Sequence, residues 1–423
     1  MQFGFKPKHS TTQCTFIVNE VVDYYTSGGS SVYVTLLDAS KAFDKVNYVR
    51  LFTLLLKRGL CPLLIKFLLQ MYTHQSLVVK WQGSSSQAFD CRNGIKQGAV
   101  LSPVLFCIYM DHLLVRLAKS GVGCYVGHIF SGAISYADDL TLLAPSHIAT
   151  QSLLNICSNF AAEFDVTFNS SKSNIVVFNS SRNCEKRPLY LCESVIPYCS
   201  KAKHLGLFIG ENVMKCNMKK ATQDFVSQVN MLICNYSHCK FESLRYLFNS
   251  YCSSYYGCPL WDLSENSLSS FCTTWRKCIR RLFNLNNTTR SKYLPFLIEC
   301  PDIKCQLYSR FAGFYYSCKN STNSLVNICF EMPHSESSTF RKNVHCLANY
   351  LGVNQAHLNS MSVNRSLKST VIKHWHASCD PTTIAEAHVI IDLINSRQQS
   401  VYIDYFDYSE IAELLNFVCT VRI

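Results

Sequence analysis

The stretch Ile134-Ser135-Tyr136-Ala137-Asp138-Asp139-Leu140-Thr141-Leu142-Leu143-Ala144 places two adjacent carboxylates inside an otherwise apolar or small-residue run. Asp is a poor strand former, and burying an unpaired charge costs several kcal/mol. The pattern reads as two strands, "GAISY" and "LTLLA", joined by a tight turn at Ala137-Asp138-Asp139. Alone, the Asp pair is also what an ordinary hairpin turn carries. What lifts it above that reading is whether the chain supplies a third carboxylate and a setting for it.

About a hundred residues upstream, "SVYVTLL" (31–37) is β-branched and aromatic and ends on Asp38, the signature of a buried strand. Asp38, Asp138 and Asp139 would then all stand at strand ends. Carboxylate oxygens are the preferred ligands of Mg²⁺, which takes one or two of them together with waters and substrate phosphates. Two such ions can activate an attacking hydroxyl and stabilise a leaving oxygen.

The neighbouring patterns give these strands a context. "YVRLFTLLLKRGL" reads as an amphipathic helix from Tyr48 to about Arg58, stopped by Gly59, and "CPLLIKFLLQMY" as a second with Pro62 in its first turn. A hairpin is expected around Gln82-Gly83-Ser84, a long apolar helix over 103–119 and an amphipathic helix over 147–163. "SNIVVF" and "AKHLGLFI" read as later strands. From about residue 212 the pattern turns helical, with main helices over 216–256 and 264–284; beyond about 300 short helical segments alternate with Ser/Asn-rich pieces.

Composition allows a sizeable core: of 423 residues, 48% are hydrophobic and 16% charged. No apolar run reaches the ~18–20 residues that span a bilayer, so no membrane partner is expected. The 23 cysteines include no Cys-x-x-Cys pair. They read as reduced thiols of an intracellular protein, in nucleus or cytoplasm, without a disulfide-linked partner. The net charge of +12 is concentrated in the middle: residues 201–310 carry 15 Lys/Arg against 7 Asp/Glu, which points to a polyanion there.

In chain order stand "QFGFKPKHSTTQ", "LLDASKAFDKV", "NGIKQGAVLSPVLF", "YADD", "FNSSKSNIVVF" and "HLGLFIG". This ordered set resembles the reverse transcriptase domain of non-LTR (LINE-type) retrotransposons over roughly residues 1–290. The resemblance implies an α+β fold: a right-hand polymerase palm of antiparallel sheet packed on helices, with partial fingers (1–210), a helical thumb (211–290) and a mainly helical region of unknown role (291–423). It implies RNA-directed DNA polymerase activity through two Mg²⁺ ions, with Mn²⁺ as an alternative, on an RNA template, a DNA primer and deoxynucleoside triphosphates. Asp38 and Asp138 match the metal ligands, Asp139 the third carboxylate, and Lys172 a general acid toward pyrophosphate. Ala39, Phe43, Gln97 and Gly98 match nucleotide contacts, Phe43 being the aromatic that excludes a 2′-hydroxyl. Lys96, His204, Gly206, Arg276, Lys277, Arg280 and Arg281 match nucleic-acid contacts.

The family's segment before "QFGF", its endonuclease domain and its Cys/His knuckle are not present in the sequence. The expectation is therefore an N-terminally truncated retroelement chain. The alternative is an inactive remnant that only binds RNA or RNA–DNA hybrid. A different two-metal enzyme, such as a nuclease, accounts for the carboxylates but not for Phe43 or the Lys96-Gln97-Gly98 turn.

Overall fold

The computed structural model describes residues 1–399 apart from 92, 180–186, 211, 212, 333–337 and 362–366. The last part of the expected 291–423 region, residues 400–423, lies outside the described residues.

Four strands form the central sheet: β1 (Val32–Ala39), β2 (Ala133–Tyr136), β3 (Asp139–Ala144) and β4 (Phe168–Phe178). Their order is β4-β1-β3-β2 and every pairing is antiparallel. The β-branched run of β1 occupies a central position and is buried on both faces, as its unbroken apolar pattern requires. Tyr33 lies opposite Ala144 and Leu37 opposite Leu140.

Five helices surround this sheet in the first half of the chain: α1 (Thr11–Ser27), α2 (Tyr48–Lys57), α3 (Pro62–Thr73), α4 (Ser102–Lys119) and α5 (His147–Phe164). Helices α3 and α4 carry Pro in their first turn, and the other three start on a side-chain cap. The side chains of Ser10, Asn47 and Ser146 accept from the backbone N–H groups of Gln13, Arg50 and Ala149. One sheet face, with Tyr33, Leu37, Leu140 and Leu142, shares a core with Phe106, Tyr109 and Leu113 of α4 and Leu153, Phe160 and Phe164 of α5. Each large apolar side chain buried this way contributes about 1.5–3 kcal/mol. Strand alternation turns Val34, Leu36, Ile134 and Leu143 to the other face, where they are also buried. Helix α1, which contacts β1 and β2, packs there.

One strand reading and one helical reading change. "AKHLGLFI" is not one strand but a hairpin, β5 (Lys201–His204) and β6 (Leu207–Gly210). Leu205 and Gly206 adopt φ of 46° and 85°, the left-handed pair that closes a two-residue turn. The helix expected over 216–256 is interrupted: α6 (Val213–Tyr236) ends, α7 (Phe241–Leu247) follows, and a π-turn occupies Phe248–Cys252. The break falls on Ser237-His238-Cys239-Lys240, where Lys240 is extended and the three preceding residues are poor helix formers.

The chain divides into two compact units, one of Met1–Lys220, Gly257–Leu268 and Leu307–Val371, the other of Ala221–Tyr256, Ser269–Gln306 and the chain from Ile372. These differ from the consecutive segments 1–210, 211–290 and 291–423. The physical reason is that α1 needs cover. Phe16 packs on Phe314 and Phe340, with ring centroids 5.6 and 4.9 Å apart, so a late helical segment completes the first unit. Buried Asn343 stitches it further: its Nδ2 donates to the Trp261 carbonyl (2.7 Å) and its Oδ1 accepts from Leu263 N–H (2.9 Å). The second unit has its own aromatic core. It contains α8 (Glu265–Leu282) beyond Leu268, where Trp275 Nε1 donates to the Tyr255 hydroxyl at 2.9 Å.

Asn343→Ala removes the shared partner of two backbone groups in a dry setting. The expected loss in the urea unfolding free energy of the first unit is about 2–4 kcal/mol, from the cost of leaving buried polar groups unmade. A loss under about 0.5 kcal/mol would assign the stitch no weight.

Candidate active site

Asp38 is the penultimate residue of β1 and Asp139 the first of β3. Extending the Leu37–Leu140 register by one residue brings them side by side on one face. Asp138 precedes Asp139 in the turn, after Ala137 at φ 58°. The register thus brings together three carboxylates that the sequence separates by a hundred residues.

Their electrostatics are those of crowded like charges. Desolvation, then Asp138, then Asp38 push the Asp139 carboxyl up to about 6. Desolvation raises Asp138 too, with Asp38 adding to it and its own backbone N–H working against it. Asp139 is solvent-exposed and Asp38 and Asp138 half-buried, so water screens part of this repulsion. Among the described residues, no group of three or more His, Cys, Asp or Glu side chains converges tightly enough to form a metal cage. A pair of carboxylates that share charge and keep an open side fits Mg²⁺, whose remaining ligands are waters and phosphates.

Lys172 lies on a bulge. Leu36 pairs with Asn174 but Asp38 with Asn169, so four residues of β4 bow out opposite Leu37. Asn169 Oδ1 holds the bow by accepting from Ser171 N–H (3.1 Å), Ser171 Oγ (2.7 Å) and Lys172 N–H (3.2 Å). Ser173 Oγ donates to the Asn169 carbonyl (2.7 Å) and accepts from Asp38 N–H (3.2 Å). The bulge that exposes Lys172 is therefore tied to Asp38. Sequence reading missed Asn169 and Ser173, although the run "NSSKS" announces a side-chain-bonded irregularity.

Ala39 is buried and pairs with Phe168. Phe43, half-buried, stacks on Phe106 at 4.5 Å and meets Phe5 edge-on at 6.2 Å. Its carbonyl accepts from Ile95 N–H at 2.8 Å, and Gly94 N–H donates to the Val46 carbonyl at 3.0 Å. Gly94 has φ 88°, and a Cβ there would collide with the backbone of Asp44. These contacts bring the Lys96-Gln97-Gly98 turn beside Phe43. All three of its residues are exposed, and Gln97 Nε2 donates to Asp44 Oδ1 at 3.1 Å.

His204 and Gly206 sit on the β5–β6 hairpin. The His204 ring is buried, which pushes it down to about 4, so it is neutral at pH 7. Its Nδ1 lies 3.4 Å from Thr141 Oγ1 on β3. That contact anchors the hairpin to the strand that begins with Asp139. His204 itself faces inward; Gly206 and the neighbouring Lys201 and Lys203 are exposed.

Arg276, Lys277, Arg280 and Arg281 belong to the second unit. Of the four, Lys277 and Arg281, four residues apart on α8, are exposed. Arg280 is committed to its own loop: its guanidinium donates to the Thr289 carbonyl (3.0 and 2.7 Å) and to Ser291 Oγ (2.8 Å). Arg276 is half-buried; burial raises the Asp302 carboxyl, and the Cys305 backbone N–H, then the Arg276 charge, only partly offset that rise.

One end of the antiparallel sheet thus collects three carboxylates, near a partly buried aromatic and a basic glycine turn. The family model described as "Reverse transcriptase (RNA-dependent DNA polymerase)" matches residues 1–231, and the chain belongs to that family. It is 30% identical over 225 residues to the Retrovirus-related Pol polyprotein from type-2 retrotransposable element R2DM of Drosophila melanogaster, covering 51% of this chain and 21% of that protein. It is 24% identical over 284 residues to the Probable RNA-directed DNA polymerase from transposon X-element of the same species, covering 63% and 30%. It is also similar to the apo telomerase of Candida Tropicalis at a TM-score of 0.40 and 11% identity, covering 88% of this chain and 57% of that one. The chain thus spans under a third of the length of these two retrotransposon relatives.

Because the folded-state value of Asp139 is raised, its ionisation opposes folding: the favourable contribution is present at low pH and is lost as pH rises through about 6. In metal-free buffer at pH 7.5, Asp139→Asn is expected to raise the melting temperature by about 1–3 °C, a small shift because the group is exposed. The difference should vanish below about pH 4. A lower melting temperature for the variant at pH 7.5 would refute the crowding.

Proposed function

We propose that the chain is an RNA-directed DNA polymerase of a non-LTR retrotransposon, joining deoxynucleotides to a DNA primer on an RNA template. The observation that carries this reading is the convergence of Asp38, Asp138 and Asp139 at the end of one sheet face, where like charge is crowded. Membership of the reverse transcriptase family supports it.

Asp38 and Asp138 would hold two Mg²⁺ ions, or Mn²⁺, with Asp139 completing the charge. Bound divalent cations supply Lewis acidity toward the attacking and leaving oxygens. The primer 3′-hydroxyl would lose its proton to water, its oxygen would form a bond to the α-phosphorus, the bond from that phosphorus to the β-phosphate oxygen would break, and pyrophosphate would leave. Lys172, exposed on its bulge, would give pyrophosphate a proton. Gln97 and Gly98 would contact the incoming nucleotide and Lys96 the nucleic acid. Phe43, held by Phe106, would press against the sugar and exclude a 2′-hydroxyl by bulk. Gly206 of the β5–β6 hairpin, which His204 anchors, and the exposed Lys277 and Arg281 would contact primer and template backbone. Arg276 and Arg280 are proposed as supports of that surface rather than as its contacts.

Among the described residues every cysteine is a free thiol and no helix is long and apolar enough to cross a membrane. Action inside the cell, in nucleus or cytoplasm, is part of the proposal.

The test is primer extension with an RNA template, a DNA primer, Mg²⁺ or Mn²⁺ and the four deoxynucleotides. Asp138→Asn should lower extension by on the order of 10²–10³-fold or more, while hybrid binding survives with its steep salt dependence. Hybrid binding without any extension by the unaltered chain would leave the inactive binding remnant instead. In the same assay Phe43→Ala should raise ribonucleotide over deoxynucleotide use by about 10–100-fold. Unchanged sugar selectivity would remove Phe43 from the nucleotide site.

A further inference from the structure

The turn that carries Asp138 is gripped from outside the sheet. Gln2 makes a parallel bridge to Ser135 on β2, with Ser135 N–H donating to the Met1 carbonyl (2.9 Å) and Phe3 N–H to the Ser135 carbonyl (2.8 Å). The Gln2 side chain, 2% exposed, then reaches the turn itself. Its Oε1 accepts from Ala137 N–H at 3.1 Å and from Gly4 N–H at 3.0 Å. Its Nε2 donates to the Ala137 carbonyl at 3.4 Å and to Ser135 Oγ at 3.3 Å. Ser135 Oγ also donates to the Ala137 carbonyl, at 2.9 Å.

One side-chain amide thus pairs with both backbone groups of a single residue, as a neighbouring strand would. That residue is Ala137, at φ 58°, the conformation an L-residue adopts at a cost of about 1 kcal/mol or more. It is the last residue before Asp138. Gly4 lies so close that a Cβ would collide with the Ala137 nitrogen. A small backbone turn with two carboxylates that repel one another has every reason to open, and something must hold it.

We infer that Gln2 is a positioning residue: its carboxamide, with Gly4 packed beneath, locks Ala137 and so aims Asp138 and Asp139. This deepens the polymerase reading and rests on it. The role inferred for Gln2 and Gly4 is to hold the turn through its backbone, with no contact to substrate or the reacting atoms required of them.

Gln2→Met keeps length and apolar bulk but cannot pair, and Gly4→Ala inserts a methyl group under the turn. In primer extension by the full chain, both should lower kcat by about 10–100-fold, the scale of a catalytic group misplaced by an ångström. The KM for deoxynucleotide and the affinity for hybrid should stay within threefold, a split that general loss of structure would not give. Hydrogen exchange should quicken at Ala137 at least tenfold in Gln2→Met. Variants with wild-type kcat and exchange would overturn the inference. Should Gln2→Met fail to fold, exchange in the unaltered chain decides: an Ala137 amide as protected as the flanking strands supports the clamp, and one exchanging like an open turn overturns it. If the unaltered chain extends no primer, the polymerase reading fails, yet the exchange measurement still tests the clamp.

Discussion

Everything at the end of this sheet depends on crowding three negative charges where they do not want to be. Antiparallel pairing of β1 with β3 is what enforces it. Side chains alternate with a period of two, so the Leu37–Leu140 register leaves Asp38 and Asp139 no choice but to share a face. The raised Asp138 and Asp139 carboxyls record the cost. Protonation, or the divalent cations proposed for the site, would relieve that cost by neutralising the charge.

The rest of the first unit reads as restraint on that arrangement. β1 is buried on both faces, so a one-residue slip would exchange its two side-chain sets and turn Asp38 toward the apolar core shared with α4 and α5. The β4 bulge is tied to Asp38 through Ser173, and the β5–β6 hairpin to β3 through His204 and Thr141. Gln2 and Gly4 hold the turn from the open edge of β2. Buried hydrogen-bonded side chains are suited to this, because in a dry setting a lost partner costs more than the bond contributes.

Basic charge is used selectively. Of the four cations on α8, two are exposed, Arg280 is committed to its own loop and Arg276 is half-buried. Helical spacing explains the split: Trp275, Cys278, Ile279 and Leu282 face the core, and positions 277 and 281 lie opposite them. A count of Lys and Arg therefore overstates the surface available to a polyanion.

Local chemistry made much of this visible in the primary structure. The strand ending at Asp38, the turn at Ala137-Asp138-Asp139, and helices α2, α4 and α5 are set by side-chain periodicity, caps and glycines, all short-range signals. The ordered motifs carried the family. Three things were not legible: one needs an unusual local backbone, and two depend on pairing between distant residues. The hairpin in "AKHLGLFI" needed Leu205 in a left-handed conformation, which a Leu does not announce. The cover of α1 by Phe314 and Phe340 crosses some three hundred residues. And Gln2, an unremarkable amide in "QFGF", acquires its role only from what lies across from it: hydrogen-bond partners are chosen by spatial proximity, and a linear chain does not display its neighbours.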